Sequence, residues 1–154
     1  MRYVSQRDSY SCGSIAVLNT LKWSGMRVTY KSHMKRVNKL CNANISGILD
    51  RDITTALSHY KSLKFRVRRC ITMRQLDSHL KKGGCAIIAY EFRLLDEECG
   101  HYIFVPGKKD DNFIVVNDSA SKDTIIYYDR KEMVDLLRYR GFRGSPCAWL
   151  ISKR

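Results

Sequence analysis

Two periodicities of apolar residues divide this chain. From Cys12 to Trp23 the residues Ile15, Ala16, Leu18 and Leu21 recur at helical spacing, and Gly25 stands where such a helix would stop. A second helix is predicted from Tyr30 to Leu40 with Met34, Val37 and Leu40 inward. A third starts at Asp50 or Asp52 and runs to about Tyr60 on Ile53, Ala56 and Leu57. Beyond that point the period shortens to two. Lys64 to Arg69 alternates charged and apolar side chains, as a strand with one face in water does. Thr72 can cap a short helix through Leu80, which Gly83 and Gly84 break. Cys85 to Phe92 is almost continuously apolar, the pattern of a central strand. More strands are predicted from His101 to Val105, Phe113 to Asn117 and Thr124 to Tyr128, then a helix from Arg130 to Tyr139 and a closing strand from Cys147 to Ile151. Both prolines, Pro106 and Pro146, are expected at turns. Helices first, then a mostly antiparallel sheet with one late helix, describe an α+β fold and not an alternating α/β one.

No repeat, low-complexity tract or linker interrupts the 154 residues, so a single domain over 1–154 is expected. Apolar and charged fractions are ordinary, and only the charge balance adds to the picture: 28 Lys and Arg against 15 Asp and Glu leave a net charge of +13. Such a surface attracts nucleic acid, an acidic protein or anionic lipid. No run approaches the roughly 20 apolar residues of a membrane span. The opening Met1-Arg-Tyr-Val-Ser-Gln6 has no apolar core like that of a signal peptide, which implies a cytoplasmic location. The six cysteines, at 12, 41, 70, 85, 99 and 147, form no CxxC pair and read as reduced thiols. Four histidines, at 33, 59, 79 and 101, lack metal-ligand spacing, so no metal or cofactor is expected.

Candidate chemistry centres on Cys12, in Ser9-Tyr-Ser-Cys-Gly13 at the predicted first turn of the first helix. The positive end of the helix dipole and unpaired backbone N–H groups there favour thiolate, which would make Cys12 the most reactive of the thiols. Gly13 would let another backbone approach. Six positions upstream, the Gln6 amide can donate to a developing oxyanion, with the Cys12 N–H as second donor. His101 opens the predicted strand Gly100-His-Tyr-Ile-Phe-Val105, and the next strand ends Val116-Asn-Asp118. If these strands form a hairpin, Asn117 or Asp118 lies beside the imidazole, which completes the nucleophile, base and orienter that activate a thiol.

At these residues the chain resembles the C39-type peptidases, the double-glycine leader peptidases of the papain-like cysteine protease group. Gln6, Asp8-Ser-Tyr-Ser-Cys-Gly13 and the helix to Gly25 are similar to the start of that family. Gly100-His-Tyr-Ile-Phe-Val105 and Val115-Val-Asn-Asp118 resemble its histidine and aspartate strands, and Leu76 to Ile88 its helix, glycine turn and central strand. The resemblance implies a papain-like fold and a cysteine peptidase with Cys12 as nucleophile, His101 as base, Asp118 as orienter and Gln6 in the oxyanion hole. Ser11 stands where an acidic or amide residue is common, and Ser119 where proline is usual; the triad is expected to survive these departures and the leader specificity is not. With Gln6 so near Met1, control by an N-terminal propeptide is not expected. The same site would also serve a transamidase or a deamidase.

Other side chains suggest binding. Lys64, Arg66 and Arg68 alternate along one predicted strand, and Arg138, Arg140 and Arg143 cluster later; both groups can grip phosphates, with Tyr127, Tyr128 and Tyr139 for stacking. A catalytically silent basic module that binds nucleic acid or an acidic partner is therefore the rival to an enzyme. Cys99 is expected in a loop, where it could act as a redox partner of the site, and Asp96-Glu-Glu98 beside it reads as a solubilising acidic patch.

Overall fold

A computed structural model of the chain describes residues 2–8, 10–94, 97–117, 123–138 and 148–154. Three helices come first: α1 (Cys12–Trp23), α2 (Tyr30–Leu40) and α3 (Asp50–Ser58). They are followed by β1 (Leu63–Arg68), α4 (Met73–Lys81), β2 (Cys85–Leu94), β3 (Glu97–Lys109), β4 (Asn112–Val116), β5 (Ile125–Tyr128), α5 (Arg130–Arg138) and β6 (Ala148–Lys153). The strands form one sheet in the order β1-β6-β2-β3-β4-β5, with every described pairing antiparallel. This is the predicted α+β arrangement.

Local chemistry accounts for the element ends. The Met26 N–H bonds the Leu21 carbonyl and the Gly25 N–H that of Lys22, a Schellman closure in which Gly25 takes φ +100°. Thr72 and Gln75 exchange side-chain bonds to each other's backbone N–H and so start α4 with a capping box. Thr29 caps α2 through the Ser32 N–H.

Strand alternation then splits the core. Tyr102, Phe104, Trp149 and Ile151 face α1–α3, while Ile103, Val105, Phe113 and Leu150 face α4 and α5. Gly13 is explained by this packing, although by side chains and not by a second backbone: a Cβ there would lie 2.8 Å from Ile53 Cδ1.

Three expectations need correction. Pro106 lies inside β3, not at a turn. The register against β4 shifts between Phe104 and Gly107, and this bulge accommodates a residue that cannot donate to the ladder. β3 begins at Glu97, so Cys99 belongs to a strand paired with Phe92 and not to a loop. His101 consequently sits within the ladder, opposite Tyr90, instead of opening it. Pro146, Cys147, Tyr139, Arg140 and Arg143 lie outside the described residues, as do the side chains of 96–99. Among the described residues no helix is long and apolar enough to cross a membrane.

Candidate active site

Cys12 is the first residue of α1 and is buried, 6% exposed, against β3. Asp8 shapes the approach to it: one carboxylate oxygen accepts from the N–H groups of Tyr10 (3.1 Å) and Ser11 (2.7 Å), and turns the chain into the helix. Tyr102, which follows His101 on β3, belongs to the same core cluster as Cys12. Burial pushes the Cys12 thiol above its ordinary value. The N–H groups of Tyr102, Gly13 and Cys12 pull it back, and the Asp8 carboxylate adds a further rise. The net direction opposes the expectation from the helix dipole alone, because desolvation of the anion outweighs the donors around it. Of the other described thiols, Cys41 is pushed up to about 12 and Cys85 well above its usual value by burial, while Cys70 is exposed.

His101 is 8% exposed, with its ring edge-on to Tyr90 at 5.6 Å. Its Nε2 lies 2.6 Å from the main-chain oxygen of Asn117. A carbonyl can only accept, so this bond fixes the proton on Nε2 and makes Nδ1 the basic nitrogen. The ring is thus held by the main chain of the residue that the β3–β4 pairing brings beside it.

The Asn117 side chain has different work. Its Oδ1 accepts from the Gln6 N–H (3.2 Å) and its Nδ2 donates to the Val4 carbonyl (2.8 Å). Asn19, fully buried on α1, grips the same segment from the other side: it accepts from the Val4 N–H (2.8 Å) and donates to the Val4 carbonyl (3.0 Å). Two asparagines therefore clamp the segment that carries Gln6, one to the helix of Cys12 and the other to the strand end beside His101. Gln6 itself donates from Nε2 to the Asp8 carbonyl at 2.5 Å. Asn117 takes φ +59°, a left-handed conformation that asparagine tolerates better than most residues.

Below the thiol, the buried Tyr102 hydroxyl donates to Asp50 Oδ1 (2.6 Å) and to the Ile48 carbonyl (3.0 Å). Burial first, and then the Asp50 carboxylate, hold its phenol well above the usual range, so it remains a donor. This ties the first turn of α3 to the strand against which Cys12 rests.

The structure thus brings Gln6 and His101 together at Asn117, and sets Cys12 at the start of the helix that packs on β3. The predicted orienter Asp118 and its neighbour Ser119 lie outside the described residues. Asn117, the other candidate, meets the imidazole through its carbonyl and not its side chain. Sequence reasoning missed Asn19, Tyr102 and Asp50 as parts of the site. Only Asn19 left a trace, as a polar residue on an otherwise apolar helix face. Among the described residues no cluster of His, Cys, Asp or Glu is arranged to hold a metal.

A helical lobe that begins at Cys12, packed on an antiparallel sheet whose third strand carries His101, is the α+β arrangement of the papain-like fold, and solved structures similar to it include peptidase domains of the C39 type. The peptidase domain of Streptococcus ComA, described as a bi-functional ABC transporter involved in quorum sensing, matches with a TM-score of 0.64 at 15% identity, over 97% of this chain and 94% of that one. A C39-like peptidase from Bacillus anthracis matches with a TM-score of 0.66 at 12% identity, over 99% and 94%. The ComA peptidase domain of Streptococcus mutans matches with a TM-score of 0.61 at 13% identity, over 99% of both chains. No family model and no curated protein matches the sequence. The likeness read from short motifs thus holds at the level of fold, and the chemistry rests on the side chains.

Proposed function

We propose that this chain is a thiol-dependent hydrolase, a cysteine peptidase that cleaves a peptide or side-chain amide bond with Cys12, His101 and Asp118. The observation that supports the reading is a cysteine at the first turn of α1, against β3, with a histidine on that strand whose Nε2 is held by the Asn117 carbonyl. In the first step the Cys12 proton passes to His101 Nδ1 and the thiolate attacks the substrate carbonyl carbon. The Cys12 N–H and the Gln6 amide stabilise the oxyanion, each worth roughly 3 kcal/mol in a site of this kind. His101 then protonates the departing amine, leaving a thioester. Water adds to the thioester, gives its proton to His101, and the acid leaves as the thiol is restored. Because burial holds the resting thiol protonated, the imidazole acts as a base at the moment of attack and not as a standing counter-ion.

The substrate is a protein or peptide. A reducing, cytoplasmic compartment suits a mechanism that needs a free thiol at Cys12. The net charge of +13 supports an additional anionic partner on a surface away from the cysteine.

A peptide-derived electrophile with an amide recognition element tests the reading. Mapping should place the adduct on Cys12, and both Cys12→Ala and His101→Gln should abolish it. Product masses on a peptide library then separate hydrolysis, which adds one water across a cleaved bond, from transamidation or side-chain deamidation. Labelling that persists in His101→Gln would refute the proposed base.

A further inference from the structure

Between the edge strand β1 and helix α4 runs a trough of about 860 Å³ whose lining includes neither Cys12 nor His101. Lys64, Arg66 and Arg68 alternate with Leu63 and Phe65, which pack toward α1, so the three cations project to the α4 face. From the opposite wall come Arg74 on α4 and Lys82 just after it, and Lys61 and Arg154 also line the trough. All seven cations are exposed, no Asp or Glu lines the trough, and none of the seven forms an ion pair among the described residues. The nearest acid on α4, Asp77, is occupied by Lys81 at 3.0 Å and Lys108 at 3.2 Å. Leu150 lines the trough on the α4 face, and Leu63, Phe65 and Tyr60, which pack into the first core cluster, border it along the sheet edge.

Charged side chains on an edge strand commonly guard against edge-to-edge association. That accounts for Lys64, Arg66 and Arg68 but not for Arg74, Lys82 and Arg154, which converge on the same trough from other elements. Seven cations gathered without acidic residues in the lining repel one another, and an anionic occupant removes that cost.

We infer that this trough binds single-stranded nucleic acid. Alternate residues of a strand stand about 6.7 Å apart, which is comparable to the step between successive phosphates of an extended strand. Arginine offers phosphate a two-pronged donor set. The half-buried rings of Tyr60 and Phe65 at its border distinguish this occupant from an acidic peptide, because bases present flat apolar faces and carboxylate side chains do not. Concavity argues against duplex, which is read by convex elements that enter its grooves. Tyr127 and Tyr128, the stacking residues expected from sequence, lie on β5 at the opposite edge of the sheet, and the aromatic residues that border the trough are Tyr60 and Phe65. The site stands or falls independently of the reaction at Cys12.

The test is fluorescence anisotropy of a labelled oligo-dT and a labelled oligo-U, titrated with salt. Two triple variants are compared at equal charge loss: Lys64→Glu/Arg66→Glu/Arg68→Glu in the trough, and Lys31→Glu/Lys39→Glu/Lys131→Glu elsewhere. The trough variant should bind at least about tenfold more weakly than the control, and its slope of log affinity against log salt should flatten by about 2, roughly 0.7 for each lost contact. Arg74→Ala/Lys82→Ala, on the other wall, should weaken binding in the same direction and decides the matter if the strand variant does not fold. Equal losses in the trough and control variants would mean that net charge alone acts. Tighter binding of polyglutamate or of duplex than of oligo-dT at matched salt would assign the trough to another partner. Either result overturns the proposal.

Discussion

Replacing Asn117 tests whether the two-asparagine clamp is a coupling device or only a local turn. Asn117→Gly removes both side-chain bonds, to the Gln6 N–H and the Val4 carbonyl, while it keeps the main-chain oxygen that holds His101 and the freedom to adopt φ +59°. The Val4 carbonyl retains Asn19 as a donor, whereas the Gln6 N–H loses its partner among the described residues. Two hydrogen bonds at about 1 kcal/mol each, plus the added chain entropy of glycine, give an expected loss near 2–3 kcal/mol in denaturant unfolding. Asn117→Ala should cost about 1 kcal/mol more, because alanine is strained in the left-handed region. Since the segment that carries Gln6 loosens while the histidine stays anchored, labelling of Cys12 by the peptide electrophile should slow by about tenfold or more, a factor worth 1.4 kcal/mol. A Gly variant within about 0.5 kcal/mol of the parent with unchanged labelling would refute the coupling.

Further outcomes follow from other contacts. Gly84→Ala would place a Cβ 2.2 Å from His79 Nε2, a ring that bridges the Cys85 and Ile151 carbonyls at 3.0 and 2.9 Å; a loss of about 2 kcal/mol in thermal or denaturant unfolding is expected, and the added His79→Ala should cost less than the sum of the two single changes. Iodoacetamide should modify exposed Cys70 before Cys12, with Cys41 and Cys85 last, and the Cys12 rate should still be rising with pH beyond the ordinary thiol range; peptide mapping over time reads the order. The Lys81 ammonium, and then that of Lys108, hold the Asp77 carboxyl below its usual value, so its contribution to stability is complete above the unfolded carboxylate range and fades as pH falls through the lower folded value; Asp77→Asn should flatten that acid limb in a series of melts.

Most elements were legible because their signals are local. The Thr72 capping box, Gly25 after α1 and the alternation in β1 each state a backbone conformation within a few residues. What failed was local reasoning applied to a long-range fact. Pro106 reads as a turn in isolation, and only its partner strand reveals that the ladder can absorb it as a bulge. His101 reads as a strand opening because Asp96 to Cys99 looks like a loop, yet pairing with Arg93 and Leu94 carries the hairpin farther. Those contacts depend on strand register, which no single segment encodes.

The site divides in the same way. Cys12, His101 and Gln6 stand out in the sequence as candidates because thiol, imidazole and amide carry chemistry wherever they stand. Asn19 and Asn117 carry none alone, and their part appears only in what they join across 15 and 111 or more positions of the chain. The thiol's protonation state was misjudged for a related reason. A helix N-terminus is visible in sequence, but the degree of burial is not, and desolvation is the larger influence on Cys12. On the mechanism proposed above, a thiol that burial keeps protonated depends on substrate binding for its reactivity, since the bound carbonyl supplies a place for negative charge to move. Such a site discriminates by recruiting its own base only when a substrate fits. On this reasoning a small alkylator and a peptide electrophile should rank Cys12 and Cys70 in opposite orders, because exposure governs the first reagent and the clamp, the oxyanion donors and His101 govern the second. If Cys70 remained ahead of Cys12 with both reagents, the pocket around Cys12 would be packing and not catalysis.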